Sequence, residues 1–178
     1  MSQPSPPAPA KLVIGFFLCD RDLAAPVIDS LVERFGPPDL VSQWMPFDYT
    51  AYYAREMGQP LFRRLVAFRE LIAQTDLVAI KVKTNQIEQQ LIRDVQRQVN
   101  IDPGYLLAER FVLASGKNFS HRIYLDHGIY ADLTLMYERG RFKSLPWTYP
   151  DYGDEPVQSI LRKVRRKYIA DLQTHVVG

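Results

Sequence analysis

The chain has 178 residues, 47% hydrophobic and 24% charged, with a formal net charge of +2. That size and balance fit one globular domain, since a chain this long buries roughly 70% of its unfolded surface. The charge is milder than the strongly basic face of most nucleic-acid binders, and a single cysteine, Cys19, excludes an intramolecular disulfide framework and a cysteine-built zinc site.

The N-terminus, M-S-Q-P-S-P-P-A-P-A, lacks the basic start and apolar middle of a secretory signal. Its prolines predict an extended or disordered lead-in over residues 1–10. No stretch reaches the roughly 18 apolar residues of a membrane span, so no membrane partner is expected and a cytoplasmic location is. Residues 11–173 are expected to form a single α+β domain. The apolar run K-L-V-I-G-F-F-L over 11–18 reads as a strand buried on both faces, with Cys19 a small hydrophobe at its end. Asp20 and Asp22 supply helix-start chemistry, and Leu23, Val27, Leu31 and Phe35 recur at i+4. Gly36 before two prolines stops that helix.

Residues 40–47 read as a strand at a sheet edge or end, because of Pro46. Thr50 caps a short helix over 51–57, ended by Gly58. Residues 61–72 fit alternation somewhat better than helical spacing and are assigned to a strand. Thr75 or Asp76 opens a helix whose apolar positions Leu77, Ile80, Ile87, Leu91 and Val95 carry it to a stop before Asn100. Asn100-Ile101-Asp102-Pro103-Gly104-Tyr105 reads as a turn, since Asp-Pro-Gly is a strong local turn signal. A strand over 106–113 then feeds a turn at Ser115-Gly116-Lys117-Asn118.

The next stretch, Ser120 to Tyr137, reads as a β-hairpin closed by the three-residue loop Asp126-His127-Gly128. That loop sets Leu125 against Ile129. On one face Ile123 meets Ala131 and His121 meets Leu133. On the other, Tyr124 meets Tyr130, Arg122 meets Asp132 and Ser120 meets Thr134. Residues 142–152 are aromatic and irregular. Residues 156–173 form an amphipathic helix with a stripe of Val157, Ile160, Leu161, Val164, Tyr168 and Leu172. The order predicts an α+β fold: a ferredoxin-like β-α-β-β-α-β core, extended by the antiparallel hairpin and the C-terminal amphipathic helix.

The words F-D-Y-T-A-Y-Y-A-R-E-M-G, I-K-V-K-T-N-Q-I-E, V-N-I-D-P-G-Y-L, S-H-R-I-Y-L, G-I-Y-A-D-L-T-L and W-T-Y-P-D-Y resemble, in order and spacing from Lys11 to Tyr168, a bacterial and archaeal family known as domain of unknown function 4416. The resemblance implies no established activity and no catalytic residues. Some members of that family are called GTP-binding. The residues here do not support it: Gly116-Lys117 has no upstream glycine and is followed by Asn118 instead of the Ser or Thr of a phosphate loop.

Polar residues cluster in the turns and on one hairpin face beyond what a core requires. Arg122 and Asp132 are either an exposed cross-strand pair worth under ~1 kcal/mol or an anion site with Asp132 orienting the guanidinium. Tyr124, Tyr130 and Thr134 on that face could stack on and hydrogen-bond a ring. Lys117 and Asn118 form either an ordinary solvated turn or a phosphate-binding one. Lys81, Asn85 and Glu88 share a helix face, and Glu56 is a general base if its helix lines a cleft. His121 reads as a packed, hydrogen-bonded histidine, and no spacing signals a metal. Trp147, Thr148, Tyr149 and Asp151 make a plug over the core or a lid.

These residues place a small phosphate- or carboxylate-bearing ligand at Lys117, Arg122, Tyr124, Asp132 and Thr134, with Glu56, Lys81 and Asn85 contributed from helices. No cofactor is implied by any motif. Two alternatives stand beside this reading. One is a single-stranded nucleic-acid module using Tyr124, Tyr130 and the basic run Arg162, Lys163, Arg165, Arg166 and Lys167. The other is a non-enzymatic interaction protein with an exposed apolar patch and no deep pocket.

Overall fold

A computed structural model describes residues 1–50 and 52–175. Its elements in chain order are β1 (Ala10–Leu18), α1 (Ala24–Phe35), β2 (Pro38–Val41), β3 (Met45–Pro46), α2 (Ala54–Met57), β4 (Phe62–Ile72), α3 (Leu77–Gln90), β5 (Val99–Leu106), β6 (Arg110–Ser115), β7 (Arg122–Asp126), β8 (Ile129–Glu138), β9 (Arg141–Ser144), α4 (Pro150–Gly153) and α5 (Glu155–His175). The fold is α+β. The strands form one sheet in the order β2-β4-β1-β5-β6-β8-β7, with β3 on β4 and β9 on β8. Every neighbouring pair is antiparallel.

Helices cover both faces of β1, which is why its sequence is apolar without alternation. Leu12, Ile14, Phe16 and Leu18 pack with Val27 and Leu31 of α1 and Ile80 and Ile87 of α3. Ala10 and Val13 belong to the core on the opposite face, with Leu161, Val164 and Tyr168 of α5. Asp20 accepts the Asp22 backbone N–H at 3.0 Å and opens a 3-10 turn that leads into α1. Gly36 ends α1 at φ 80°, a conformation that favours glycine.

The segment expected at 61–72 is a strand from Phe62, as alternation suggested, and β4 is a direct partner of β1. Several other expectations are corrected. Residues 40–47 divide into β2 and β3, because the chain breaks at Ser42, whose hydroxyl accepts the Leu65 backbone N–H. The short helix is only α2; Ala51, expected within it, lies outside the described residues. Residues 106–113 span the end of β5, a turn and β6. The stretch 142–152, expected to be irregular, contains β9 and α4.

The Asn100–Tyr105 segment is not a turn but lies within β5, inside the sheet. The local Asp-Pro-Gly signal is overridden by pairing with β1 along the whole strand. β5 pairs with β6 only from Gly104 to Leu106. On the vacated side, Ile101 donates its N–H to Glu88 Oε1 at 2.6 Å and its carbonyl accepts from Lys81 Nζ at 2.9 Å. Backbone groups alternate sides along a strand, so Pro103 turns its missing N–H to the side that has no β6 partner.

α3 stops at Gln90, short of the expected end before Asn100. Residues 91–98 double back through Asp94 and Val95, both at positive φ, and Arg93 and Gln96 exchange backbone hydrogen bonds. Val95, expected on the buried helix face, is therefore 96% exposed.

The hairpin keeps the pairs Arg122↔Asp132, Ile123↔Ala131 and Tyr124↔Tyr130. Its loop, however, is two residues, His127 and Gly128, both at positive φ, and Asp126 pairs with Ile129. A bulge at Leu125 absorbs the one-residue shift that a shorter loop would impose. The expected pairs Ser120–Thr134 and His121–Leu133 do not form, because β7 begins at Arg122. A further bulge, in β8, makes Thr134 the unpaired residue between Leu133 and Leu135.

Candidate functional site

The register of the sheet brings chemically distinctive residues together. Phe17 is flanked by Arg63 of β4 and Asn100 of β5. Gly15, two residues back on the same face, is flanked by Leu65 and Asp102. One row further, Gly104, Leu113, Asp132 and Arg122 stand in line across four strands. Residues directly opposite in a sheet share a face, so these side chains project to one side. There Phe17, Arg63, Asn100, Asp102, Leu113, Asp132 and Arg122 border a cavity of about 930 Å³. α2 and the segment before it supply Tyr49, Tyr52, Tyr53 and Glu56; α3 supplies Lys81, Asn85 and Glu88; the loop after β6 supplies Lys117.

Six of the eight residues singled out from the sequence border this cavity: Glu56, Lys81, Asn85, Lys117, Arg122 and Asp132. Tyr124 and Thr134 do not. Tyr124 is 56% exposed on the hairpin and meets Tyr130 edge to face. Thr134 is buried and donates to the Asp132 carboxylate and carbonyl.

Asp132 is the hub of the β7–β8 end. Its Oδ2 accepts from Arg122 Nε at 2.8 Å and lies 3.2 Å from His121 Nε2. Arg122 also donates to the Lys117 carbonyl at 2.9 Å and to Tyr149 Oη at 3.1 Å. Burial works against its charge, but the hydrogen bonds to Asp132 and Tyr149 hold its pKa above the usual value. The exposed-pair reading of Arg122 and Asp132 is therefore corrected: both side chains are buried. The hairpin faces were judged from alternation, which cannot see the cover laid over them. That cover is the W-T-Y-P-D-Y segment. Trp147 stacks on His121 at 4.9 Å and donates to the Leu133 carbonyl, and Thr148 donates to the Thr134 carbonyl.

Lys117 behaves differently. Its ammonium sits 5.2 Å from the centre of the Tyr52 ring and has no carboxylate partner among the described residues.

A second network crosses the cavity at α2 and β5. Arg97 donates to Glu56 at 2.8 Å and to Asn100 Oδ1 at 3.0 Å, and Asn100 donates to Asp102 at 2.7 Å. Burial raises the Glu88 pKa. Burial likewise pushes the Tyr53 phenol to about 12. Glu56 is thus tied into an ion pair and Lys81 holds the edge of β5.

At the floor, Arg63 is 2% exposed and forms a close ion pair with buried Asp151. Its guanidinium lies over the Tyr152 ring at 4.3 Å. Arg63 Nε and Nη2 and the Tyr152 hydroxyl make no hydrogen bond of good geometry among the described residues. Sequence reasoning passed over Arg63, Arg97 and Tyr152. Each follows an unremarkable local pattern; the register pairs Arg63 with Phe17, and its guanidinium reaches back to Gly15 two residues away.

No group of three or more His, Cys, Asp or Glu side chains suited to a metal ion occurs among the described residues. No helix of the described residues is long and apolar enough to cross a membrane. A family model described as Domain of unknown function (DUF4416) matches residues 8–168. No curated protein and no solved structure matches the chain.

Proposed function

We propose that this chain, which belongs to the DUF4416 family, binds a small phosphate- or carboxylate-bearing ligand in the cavity between the sheet, α2, α3 and the loop after β6. The observation that carries the reading is Lys117. The other cations at the cavity, Arg63, Arg97 and Arg122, are each paired with carboxylates, and Lys81 is spent on a backbone carbonyl. Among the described residues Lys117 alone of these cations offers an uncommitted positive charge, next to tyrosine rings on which an organic portion can pack. The cavity volume lies in the range of small-molecule sites. We read the supporting scaffold, β1-α1-β2 and β4-α3-β5 with strand order β2-β4-β1-β5, as a ferredoxin-like unit to which β6–β9 and α5 are added.

A thermal-shift series with phosphorylated metabolites and organic acids tests the reading. A ligand at a hundredfold its Kd stabilises by about 2.7 kcal/mol, which raises Tm by roughly 5–11 °C in a chain of this size. Lys117→Ala should abolish the shift and leave the unliganded Tm in place. No shift with any compound defeats the proposal.

The nucleic-acid alternative keeps the exposed Tyr124 but has less basic surface than the run of residues suggested. Arg162 pairs with Glu155, Arg165 donates to the Ala108 carbonyl and Lys167 pairs with Asp171. Binding of mixed-sequence RNA that weakens steeply with salt would favour it.

A further inference from the structure

We infer that the cavity floor is a second subsite, formed by Arg63 and Tyr152 beside Gly15, that takes an uncharged oxygen of the ligand, so that the ligand is a polyhydroxy compound carrying its anionic group at the opposite, Lys117 end. The inference rests on the proposed Lys117 reading and extends it to the class of ligand.

Three observations carry it. First, Arg63 Nε and Nη2 and the Tyr152 hydroxyl sit on side chains 2% exposed that border the cavity, and beyond the contact of Arg63 with the Tyr152 oxygen they find no partner of good geometry among the described residues. Leaving buried donors unmade is costly, and native folds seldom do so without a reason. Second, the close approach of both groups to β1 depends on Gly15. A Cβ there would stand 2.9 Å from Arg63 Nη2 and 3.1 Å from the Tyr152 hydroxyl. Gly15 lies mid-strand in β1, where glycine weakens a strand and marks a close approach.

Third, the charge at the floor is already balanced. Arg63 faces Asp151, while Asp102 and Asp132 act on Tyr152 from β5 and β8. A second anion would meet these carboxylates. A hydroxyl or carbonyl oxygen accepts from Arg63 and Tyr152 without that repulsion. A neighbouring ligand hydroxyl can donate to Asp102, which among the described residues accepts a side-chain hydrogen bond from Asn100.

The test is calorimetric titration of the full chain with four probes: inorganic phosphate, glucose, glucose 6-phosphate and gluconate. The two-ended probes should bind tighter than the single-ended ones, and the ratio of glucose 6-phosphate to gluconate affinity identifies the anion as phosphate or carboxylate. Tyr152→Phe removes one donor and should cut the two-ended advantage roughly three- to tenfold, the range of one hydrogen bond, with phosphate affinity unchanged. Gly15→Ala should do the same by displacing the guanidinium. If that variant folds poorly, Tyr152→Phe carries the test by itself, since it deletes only a hydroxyl.

An advantage that survives Tyr152→Phe overturns the floor subsite and leaves the Lys117 site standing. Tighter binding of fructose 1,6-bisphosphate than of glucose 6-phosphate, lost in Tyr152→Phe, overturns the uncharged character of the floor. Absence of binding by all of these probes at millimolar concentration overturns both this inference and the reading beneath it.

Discussion

Arg122 Nε lies 2.8 Å from Asp132 Oδ2 across the β7–β8 pair, and the two side chains are 7% and 5% exposed. Removing one member of a buried pair strands the other, at a cost of about 3–5 kcal/mol. Asp132→Ala should therefore lower stability by about 3 kcal/mol in urea denaturation, and Arg122→Ala should be comparably destabilising. Lys117→Ala, in the loop between β6 and β7 and with no carboxylate partner among the described residues, should leave the midpoint unchanged. A midpoint for Asp132→Ala within about 0.5 kcal/mol of the parent would show the pair to be solvated in solution.

Gly104 and Gly116 make a matched contrast. A Cβ at Gly104 would stand 2.5 Å from the Val112 carbonyl oxygen of the paired strand, whereas nothing lies within 4 Å of one at Gly116. Backbone cannot move aside as a side-chain tip can. Gly104→Ala should cost about 1–3 kcal/mol or prevent folding, and Gly116→Ala should be near neutral. Equal melting temperatures for the two variants would contradict the β5–β6 register.

Lys11 is fully buried in β1 and bonds Asp39 at 2.6 Å and Asp171 of α5 at 2.8 Å. Burial works to raise the Asp171 pKa, but the hydrogen bonds from Lys11 and Lys167 win and lower it. A depressed carboxyl contributes stability that is present above its unfolded pKa and lost as pH falls through the folded one. The acid limb of a stability-against-pH curve should therefore fall below about pH 4, and Asp171→Asn should flatten it. An unchanged acid limb in that variant would remove Asp171 from the account.

At high pH the sign reverses. Burial pushes Tyr152 to about 12, and burial with the Asp154 hydrogen bond does the same for Tyr49. Phenols held protonated in the fold contribute stability that is complete below the unfolded value near 10 and is lost as pH rises toward 12. Absorbance titration near 295 nm should show a late-ionising fraction, and Tyr152→Phe should reduce it and soften the alkaline loss of stability. Titration of all ten tyrosines in a single step near 10 would go against it.

Much of the frame was legible because local pattern and tertiary role agree. The unbroken apolar run of β1 declared a strand buried on both faces, and α5 declared its stripe, of which Val157, Leu161, Val164 and Tyr168 are buried. The core pairs of β7 and β8 followed from matching Arg122 to Asp132, even though the turn is shorter than supposed and a bulge restores the register. Cavity residues such as Lys117 and Glu56 stood out as polar groups that no core needs. What they gather around did not, because a cavity is a property of several strands in register.

The amino-acid sequence determined by itself the α+β class, the family, the buried first strand, the hairpin pairing and the amphipathic last helix. The family rests on the order and spacing of its words along the chain; each of the others depends on periodicity or on short-range chemistry that a window of residues displays. Tertiary structure alone decided that Asn100–Tyr105 extends as a strand despite Asp-Pro-Gly, that α3 ends at Gln90, that Arg122 and Asp132 are buried, and that Arg63 and Tyr152 meet beside Gly15. In each case the outcome depends on a partner distant in the chain. The energy of pairing with β1, or of lying beneath Trp147, exceeds a local preference worth about a kilocalorie per residue.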